Sequence, residues 1–326
     1  VNSIALNSGR GISDDLMNFP DVAVFSRTYP IDPLMNLRKF KKLGKKVVYE
    51  VDDDLWTVNP ENPSYVISEE KKRQYEHLIA ECDAVTTTTP TLAKKLKKFN
   101  KNVHICPNAL NEKVFDKEKK KMPKDRLRIG YSGAASHWKD LDLIADAIIE
   151  LQKKHDFDFI LQGICARPLE DEIWGYERVL EYGLQPEKKV YMESAVKWYN
   201  KMKDTQMFHI PFRVPVFHSG ILNNLDLDIG IAPLLDNEFN HSKSCVKFYE
   251  YAMTGAATLA SNVLPYKKEV GYLAKNTTKD WVKKLEKLIV DEKFRKNLAD
   301  KQYKWVKENR DIDKIVTLWE DALDTV

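Results

Sequence analysis

Short apolar, β-branched runs alternate along the chain with longer lysine-rich segments whose apolar positions recur at helical spacing. That is the pattern of a parallel sheet covered by helices, and it predicts an α/β fold. In the first third, strands are expected at Val22–Phe25, Lys46–Val51, Ala84–Thr87 and Val103–Cys106. Between them, helices are expected at Leu34–Leu43 (ended by Gly44), Glu69–Cys82 and Pro90–Phe99 (opened by its proline). The alternation then breaks. Asn111–Asp125 holds Lys117-Glu118-Lys119-Lys120-Lys121 and Pro123 with almost nothing apolar to bury, so a linker is expected there. The alternation resumes with strands at Leu127–Tyr131, Phe157–Gln162, Leu227–Ala232 and Ala257–Ser261 and a helix at Leu141–Lys153. From Thr277 to Val326 the spacing is helical throughout, with Trp281, Leu285, Leu288, Phe294, Leu298, Trp305, Ile315 and Leu318 as the expected buried stripes. The expected organisation is a short first domain over 1–110, a linker over 111–125, a second α/β domain over 126–308, and a terminal helix over 309–326 that can return to the first domain.

Composition narrows the function classes. A chain of 326 residues at about 150 per domain is expected to form two domains, and 43% hydrophobic residues suffice for a core in each. The 52 basic and 49 acidic residues leave a net charge of +3, too little to hold a polyanion by bulk field, so any basic site must be local. No apolar run approaches the roughly 18 residues of a membrane span. The opening Val1-Asn2-Ser3-Ile4-Ala5-Leu6-Asn7 has neither a basic nor an apolar leader region. Cys82, Cys106, Cys165 and Cys245 lie far apart with no C-x-x-C spacing, so neither a zinc site nor a disulfide framework is signalled, and a cytoplasmic location is expected.

Ligands of open parallel sheets bind beyond the carboxyl ends of strands, which directs attention to the loops that follow them. Ser132-Gly133-Ala134-Ala135-Ser136-His137-Trp138-Lys139-Asp140 offers small residues leading into a helix, free N–H groups for an anion, and a cation in Lys139. It suits a phosphate; read plainly, it is a strand-to-helix turn capped by Ser136. After the strand at Leu227–Ala232 comes a segment that includes Pro233, Asn240, Ser242, Lys243, Ser244, Cys245, Val246, Lys247 and Glu250. If Ser242 caps a helix, Lys243, Lys247 and Glu250 share one face near its start. Two cations beside the positive end of a helix dipole cost several tenths of a kcal/mol each, a penalty that a bound diphosphate removes. The alternative is a solvated Lys/Glu face. Asp52-Asp53-Asp54 closes the strand at Lys46–Val51 and suits a divalent metal, a general base or a helix cap. His137, His209 and His218 are further acid–base candidates.

These residues resemble a known family. Leu227-Asp228-Ile229-Gly230-Ile231-Ala232-Pro233-Leu234, then Phe239-Asn240, Lys243-Ser244, Lys247-Phe248, Glu250-Tyr251, Gly255 and Ala260-Ser261 are similar to the donor-binding domain of GT-B glycosyltransferases of the family 4 type. Arg128-Ile129-Gly130-Tyr131-Ser132-Gly133, with His137 and Asp140, resembles the opening of that domain, so the likeness runs from about Arg126 to Tyr266. Tyr49 to Trp56 and Cys106-Pro107-Asn108-Ala109 resemble the end of its N-terminal partner, and the Asp-Leu-Asp-Ile strand with Phe-Asn and Lys-Ser resembles bacteriophage versions. The resemblance implies two Rossmann-like domains facing across a cleft and a UDP- or GDP-sugar donor held by the second. It implies a retaining reaction and no required metal or other cofactor.

By the same resemblance, Glu250 matches the ribose-binding glutamate, Lys139 a basic group at the diphosphate, and Ser244-Cys245 the backbone N–H groups at the phosphate or sugar. Lys139, Lys243, Lys247, Asp52 and Asp53 are then the catalytic candidates. Ser132, Gly133, His137, Lys139, Pro233, Asn240, Lys243, Ser244, Cys245, Val246, Lys247 and Glu250 are the donor-binding ones. Two departures stand out: Ser242 occupies the position where the family carries a sugar-contacting glutamate, and the opening strand with its glycine-rich loop is reduced to Ile4–Gly11. The expected activity is transfer of a sugar to a hydroxyl of a glycan, a lipid-linked saccharide or a hydroxymethylated base in DNA. The competing readings are a catalytically silent nucleotide-sugar or glycan-binding module, and a metal-dependent GT-A transferase built on Asp52-Asp53-Asp54.

Overall fold

In a computed structural model, which describes residues 13–26, 31–58, 68–115, 124–133, 137–163, 194, 196–210 and 218–326, the β-branched runs pair into two parallel sheets. The readings made on Ile4–Gly11, on Lys117–Lys121 with Pro123, on the Ser136 cap and on Cys165 lie outside the described residues.

The first sheet takes its strands in chain order: β1 (Val22–Ser26), β2 (Lys46–Val51), β3 (Ala84–Thr87) and β4 (Val103–Ile105). The crossovers carry α2 (Ile31–Lys42), α3 (Glu69–Glu81) and α4 (Pro90–Leu96), and α1 (Asp14–Asn18) precedes β1. Leu37, Val47, Tyr49, Leu78, Val85 and Leu96 form its buried interior. α4 starts where the sequence marks it, with Thr89 Oγ1 accepting from Leu92 N at 3.2 Å and Pro90 following.

The second sheet has six strands: β5 (Leu127–Ser132), β6 (Phe157–Gln162), β7 (Met207–Ile210), β8 (Ile229–Ala232), β9 (Ala257–Ser261) and β10 (Leu273–Ala274). Their spatial order is β7-β6-β5-β8-β9-β10. Numbered by appearance this is 3-2-1-4-5-6, the doubly wound Rossmann order, whose direction reverses between β5 and β8. α5 (Trp138–Gln152) and α10 (Thr278–Val290) pack together on one face; α9 (Val246–Met253) and α11 (Glu292–Asn309) pack together and against β9. The remaining helices are α6 (196–202), α7 (His218–Leu225), the single turn α8 (Glu238–His241) and α12 (Ile312–Leu323).

Gly230 lets α9 close on the sheet, and Gly130 makes room for Leu227. Gly130 and Gly230 are paired across β5 and β8. A Cβ on Gly230 would lie 2.3 Å from the Tyr251 ring, and one on Gly130 2.5 Å from the Leu227 side chain. Tyr251 therefore lies flat over β8 and accepts a hydrogen bond from Ser132 N at 2.7 Å, fixing α9 to the end of β5. On the same face the buried Gln302 of α11 donates to Thr258 O and Val270 O and accepts from Thr258 N.

The chain joins the two sheets through the stretch between β4 and β5 and again near its end. Leu110 N donates to Arg310 O at 2.8 Å and Ile312 N to Leu110 O at 3.1 Å, after which α12 lies beside β3. Several expectations need adjustment. α5 starts at Trp138 rather than Leu141, because the amphipathic stripe begins with the buried Trp138. Leu318 is 38% exposed rather than part of a buried stripe, since α12 turns Ile315 and Ala322 inward. Short elements without a strong periodic signal, α1, α6, β7, α7, α8 and β10, were not expected at all.

Candidate functional site

The reversal of strand order between β5 and β8 leaves a crevice beyond their carboxyl ends, because the connections that follow them lead to opposite faces of the sheet. At the end of β5, Ser132 is buried and turned inward, its hydroxyl bonded to Gln162 Oε1. Gly133 comes next and has no room for a side chain: a Cβ would sit 2.6 Å from the Tyr131 hydroxyl and 3.0 Å from Lys247 Cε. Gly163, at φ +87°, likewise has no room for a side chain: a Cβ there would sit 2.6 Å from the Gly133 carbonyl oxygen. The Tyr131 hydroxyl is buried without a partner among the described residues, a condition worth about 1–3 kcal/mol of destabilisation until a partner arrives.

His137 and Asp140 open α5. His137 Nδ1 lies 2.7 Å from Asp140 Oδ2, and Asp140 Oδ1 accepts from Leu235 N at 2.7 Å, tying this turn to the loop after β8. Burial, followed by the nearby Lys247, pushes the His137 pKa down to about 4. The ring is therefore neutral at physiological pH; if Nδ1 carries the hydrogen, Nε2 is left as an acceptor.

After β8 the chain runs through the buried Pro233 to α8, capped by Asn237, and then through Ser242-Lys243-Ser244-Cys245 to α9. Ser242 is the C-cap of α8 rather than the N-cap of the lysine-bearing helix. Asn237 starts α8 five residues earlier than that reading assumed, and α9 does not begin until Val246. Lys243 is consequently in the inter-helix turn, and only Lys247 and Glu250 share a helical face. Asn240 is buried and structural, donating to Leu235 O at 3.0 Å. The Cys245 thiol is buried and donates to Pro265 O at 2.9 Å; burial raises its pKa well above the ordinary value. No side chain caps α9, so its first-turn N–H groups remain available to an anion.

The first sheet faces this turn with polar groups. Thr89 Oγ1 donates to Ser242 O at 2.9 Å, and Asn108 Nδ2 donates to Ser244 Oγ at 2.7 Å. Asp53 pairs with Lys243 at 3.5 Å. Asp54 is buried and receives Trp56 N, Thr57 Oγ1, Lys95 Nζ and Ser242 Oγ; Lys95 also reaches Glu238 at 2.8 Å. The Ser242–Ser244 turn is thus held from both sides of a cleft.

No family model matches the chain, and no curated protein does. Solved structures do match. Anabaena HepE, in complex with UDP and glucose, aligns at a TM-score of 0.67 and 12% identity over 93% of this chain and 78% of that one. The sucrose-phosphate synthase of Thermosynechococcus elongatus aligns at 0.65 and 13% over 94% and 74%. A glycosyltransferase from Rickettsia africae aligns at 0.63 and 13% over 99% and 84%.

The fold is GT-B. Its two Rossmann-like domains and the cleft between them replace the single domain that a GT-A reading of Asp52-Asp53-Asp54 required. Among the described residues no three His, Cys, Asp or Glu side chains are grouped to hold a metal ion. Asp54 is instead committed to Lys95 and the β2 turn. Among those residues, too, no helix is long and apolar enough to cross a membrane.

Within this GT-B cleft the charges are coupled. Lys247 is half-buried, with its ammonium 5.5 Å from the Tyr131 ring centre. Desolvation first, then Lys243, lowers its pKa to about 8, while Asp140, Glu250 and Asp53 oppose the shift. Lys243 sits 4.5 Å over the Phe239 ring. Glu250 lies 3.1 Å from His218 Nε2, and that hydrogen bond raises the His218 pKa. The cleft therefore gathers Gly133, His137, Lys243, Ser244, Lys247, Glu250 and Asp53. Val246 is half-buried at the start of α9, and Asp52 is half-buried beside Asp53. Lys139 is exposed and lines a cavity of about 350 Å³ with Trp198, Lys197, Asp142 and Leu235. Its position one residue after the buried Trp138 turns it outward.

Sequence reasoning missed Thr89, Lys95 and Asn108 as cleft residues and His218 as the partner of Glu250. Thr89-Pro90 carried a capping signal, but nothing in its spacing reports a contact 153 positions away.

Proposed function

We propose that the protein is a glycosyltransferase that moves a sugar from a nucleoside diphosphate sugar, a UDP- or GDP-sugar, to an acceptor hydroxyl. One observation carries the reading: Lys243 and Lys247 stand together at the uncapped start of α9, on the switch-point rim of a GT-B cleft. Asp53, Asp140 and Glu250 offset the two cations only in part, since desolvation and Lys243 still hold the Lys247 pKa down to about 8, and a diphosphate at the α9 N–H groups supplies the remaining negative charge. The UDP and glucose held by Anabaena HepE support the same assignment.

The proposed chemistry follows from charge. As the bond between the anomeric carbon and the diphosphate oxygen breaks, the ring becomes positive and the leaving phosphate gains negative charge; the acceptor oxygen bonds to that carbon and its proton passes to the departing phosphate, giving the glycoside and the nucleoside diphosphate. Lys243, Lys247 and the α9 amides stabilise that leaving group most at the transition state. Gly133 lets the phosphate approach the backbone, and His137, neutral, accepts from a sugar hydroxyl. Asp53, across the cleft, releases Lys243 as the diphosphate arrives and faces the positive sugar ring. We take the reaction as retaining and metal-independent.

In this reading residues 1–110 form the acceptor side, 111–125 the linker, 126–308 the donor side and 309–326 a terminal helix on the acceptor side, in a cytoplasmic enzyme. Lys94, Lys97 and Lys98 lie exposed along and just beyond α4 and suit an anionic acceptor. A hydroxymethylated base in DNA would reveal itself by acceptor affinity that falls steeply with salt; a neutral glycan or lipid-linked saccharide would not. Ser242, sealed beneath Asp54 where a sugar-contacting glutamate was expected, favours one competing reading, a silent binding module.

Thermal unfolding with UDP and GDP tests the reading. A nucleotide at about 100 times its Kd adds about 2.7 kcal/mol to stability, a rise of several degrees in Tm. Sugar release from the matching labelled donor distinguishes the enzyme from the silent module. Absence of any shift with either nucleotide contradicts both.

A further inference from the structure

We propose that His218 is a positioning residue for Glu250: its ring holds one oxygen of that carboxylate so that the other is presented to the ribose diol of a bound nucleotide. The proposal rests on the nucleoside diphosphate reading and adds a residue to it.

Two elements far apart in sequence make the contact. His218 is the first residue of α7, on the crossover between β7 and β8; Glu250 belongs to α9, 32 residues later. The Nε2 to Oε1 distance is 3.1 Å, and the side chains are only 29% and 14% exposed, so neither samples solvent freely. Glu250 lies in the second half of an eight-residue helix, where the exposed carbonyls disfavour a carboxylate. A hydrogen-bonding imidazole next to it offsets that cost.

Position along α9 adds the second argument. Lys247 lies three residues earlier on the same face, beside Gly133 and Tyr131, where the diphosphate is proposed to sit. Glu250 follows Lys247 by one turn on that face, about 4.5 Å along the helix, so a nucleotide whose diphosphate meets Lys247 can set its ribose against the carboxylate that His218 holds from α7. A flexible glutamate pays rotamer entropy when it is fixed by a ligand, of order 1–2 kcal/mol. A carboxylate already held at one oxygen has lost most of that freedom before the nucleotide arrives. The carboxylate keeps acceptor capacity for both ribose hydroxyls, since its two oxygens together offer about four lone-pair sites.

Calorimetric titration of UDP, GDP and their 2′,3′-dideoxy counterparts into the unaltered protein, H218A, H218N and H218Q tests the assignment, with thermal unfolding recorded for each variant. The unaltered protein is expected to prefer the ribose nucleotide. H218A should weaken that nucleotide about tenfold and leave the dideoxy form unchanged. H218Q, whose longer amide donates to the same oxygen, should keep most of the preference. H218N, whose amide falls short, should lose it and takes the place of H218A if that variant does not fold. Equal weakening of ribose and dideoxy nucleotides would overturn the proposal, because His218 would then serve the base or the fold. So would no weakening of either. If the unaltered protein binds none of the four nucleotides, the diphosphate reading itself fails and this assignment fails with it.

Discussion

The two sheets of this molecule share a strand-helix pattern and differ in what their rims can do. The first keeps its strands in chain order, 1-2-3-4, and among the described residues it has no reversal and so no crevice of its own. The second reverses between β5 and β8 and opens one. The charges divide the same way. Lys243 and Lys247 belong to the second sheet's rim, whereas Asp53 and Asp54 project from the end of β2 in the first. One rim carries the paired cations, and the other faces them with carboxylates.

Removing the central cation should give the largest effect. K247M is expected to weaken UDP or GDP about 100-fold in calorimetry, the scale of a charge-assisted contact in a desolvated site, while D83N in the first sheet should not alter nucleotide affinity. If K247M binds as well as the unaltered protein, the division of roles between the two rims is wrong.

The next effect is pH dependence. The Lys247 pKa is lowered from 10.5 to about 8, so its charge is lost as pH rises through about 8. A bound diphosphate favours the charged form, so nucleotide Kd should rise by up to about tenfold per pH unit above 8, and this slope should be absent in K247M. Stability without ligand has the opposite sign. Between pH 8 and 10.5 the unfolded chain binds the proton that the folded chain has released, so this group's contribution to stability increases with pH. Chemical denaturation of the unaltered protein and K247M across that range checks the sign.

The interdomain contacts come third. D54A removes the carboxylate that receives Lys95 and Ser242. Because Lys95 is partly exposed and keeps Glu238, a loss of about 1–3 kcal/mol is expected, measurable as a lower Tm. D53N should act in the other direction on binding: freeing Lys243 should tighten UDP about threefold, since the ion pair it breaks is partly solvated. Smallest of all is K139M, expected to change UDP affinity by less than about threefold because the charge of the exposed Lys139 is screened by solvent.

The same contrast explains what could be read from the sequence. Long periodic elements were legible: β2, β3, β5, β6, β9 and α3 fall within a residue or two of expectation because each carries its own apolar period, whereas Thr277–Val326, read only as helical throughout, divides into three helices. The lysines of the second rim were legible as well, since two cations near a helix start conflict with local stability and so draw attention to a ligand. What stayed hidden depends on a third dimension. Both helix starts differ from expectation, Trp138 rather than Leu141 and Val246 rather than Lys243, and those shifts decide that Lys139 lies in the first turn of α5 and Lys243 in the turn before α9. The pairing of Asp54 with Ser242 spans 188 positions and two sheets, and that of His218 with Glu250 joins two helices through a shared face. Neither leaves a spacing that a linear reading detects.

A crystal structure with UDP or GDP bound, whichever raises Tm, tests the central claim most directly. The account predicts the diphosphate within about 3 Å of Lys247 Nζ and of the first α9 amides, with the Lys243–Asp53 pair opened. A diphosphate seated elsewhere, beside Lys139 or on the first sheet, with Lys243 and Lys247 left untouched, would contradict it.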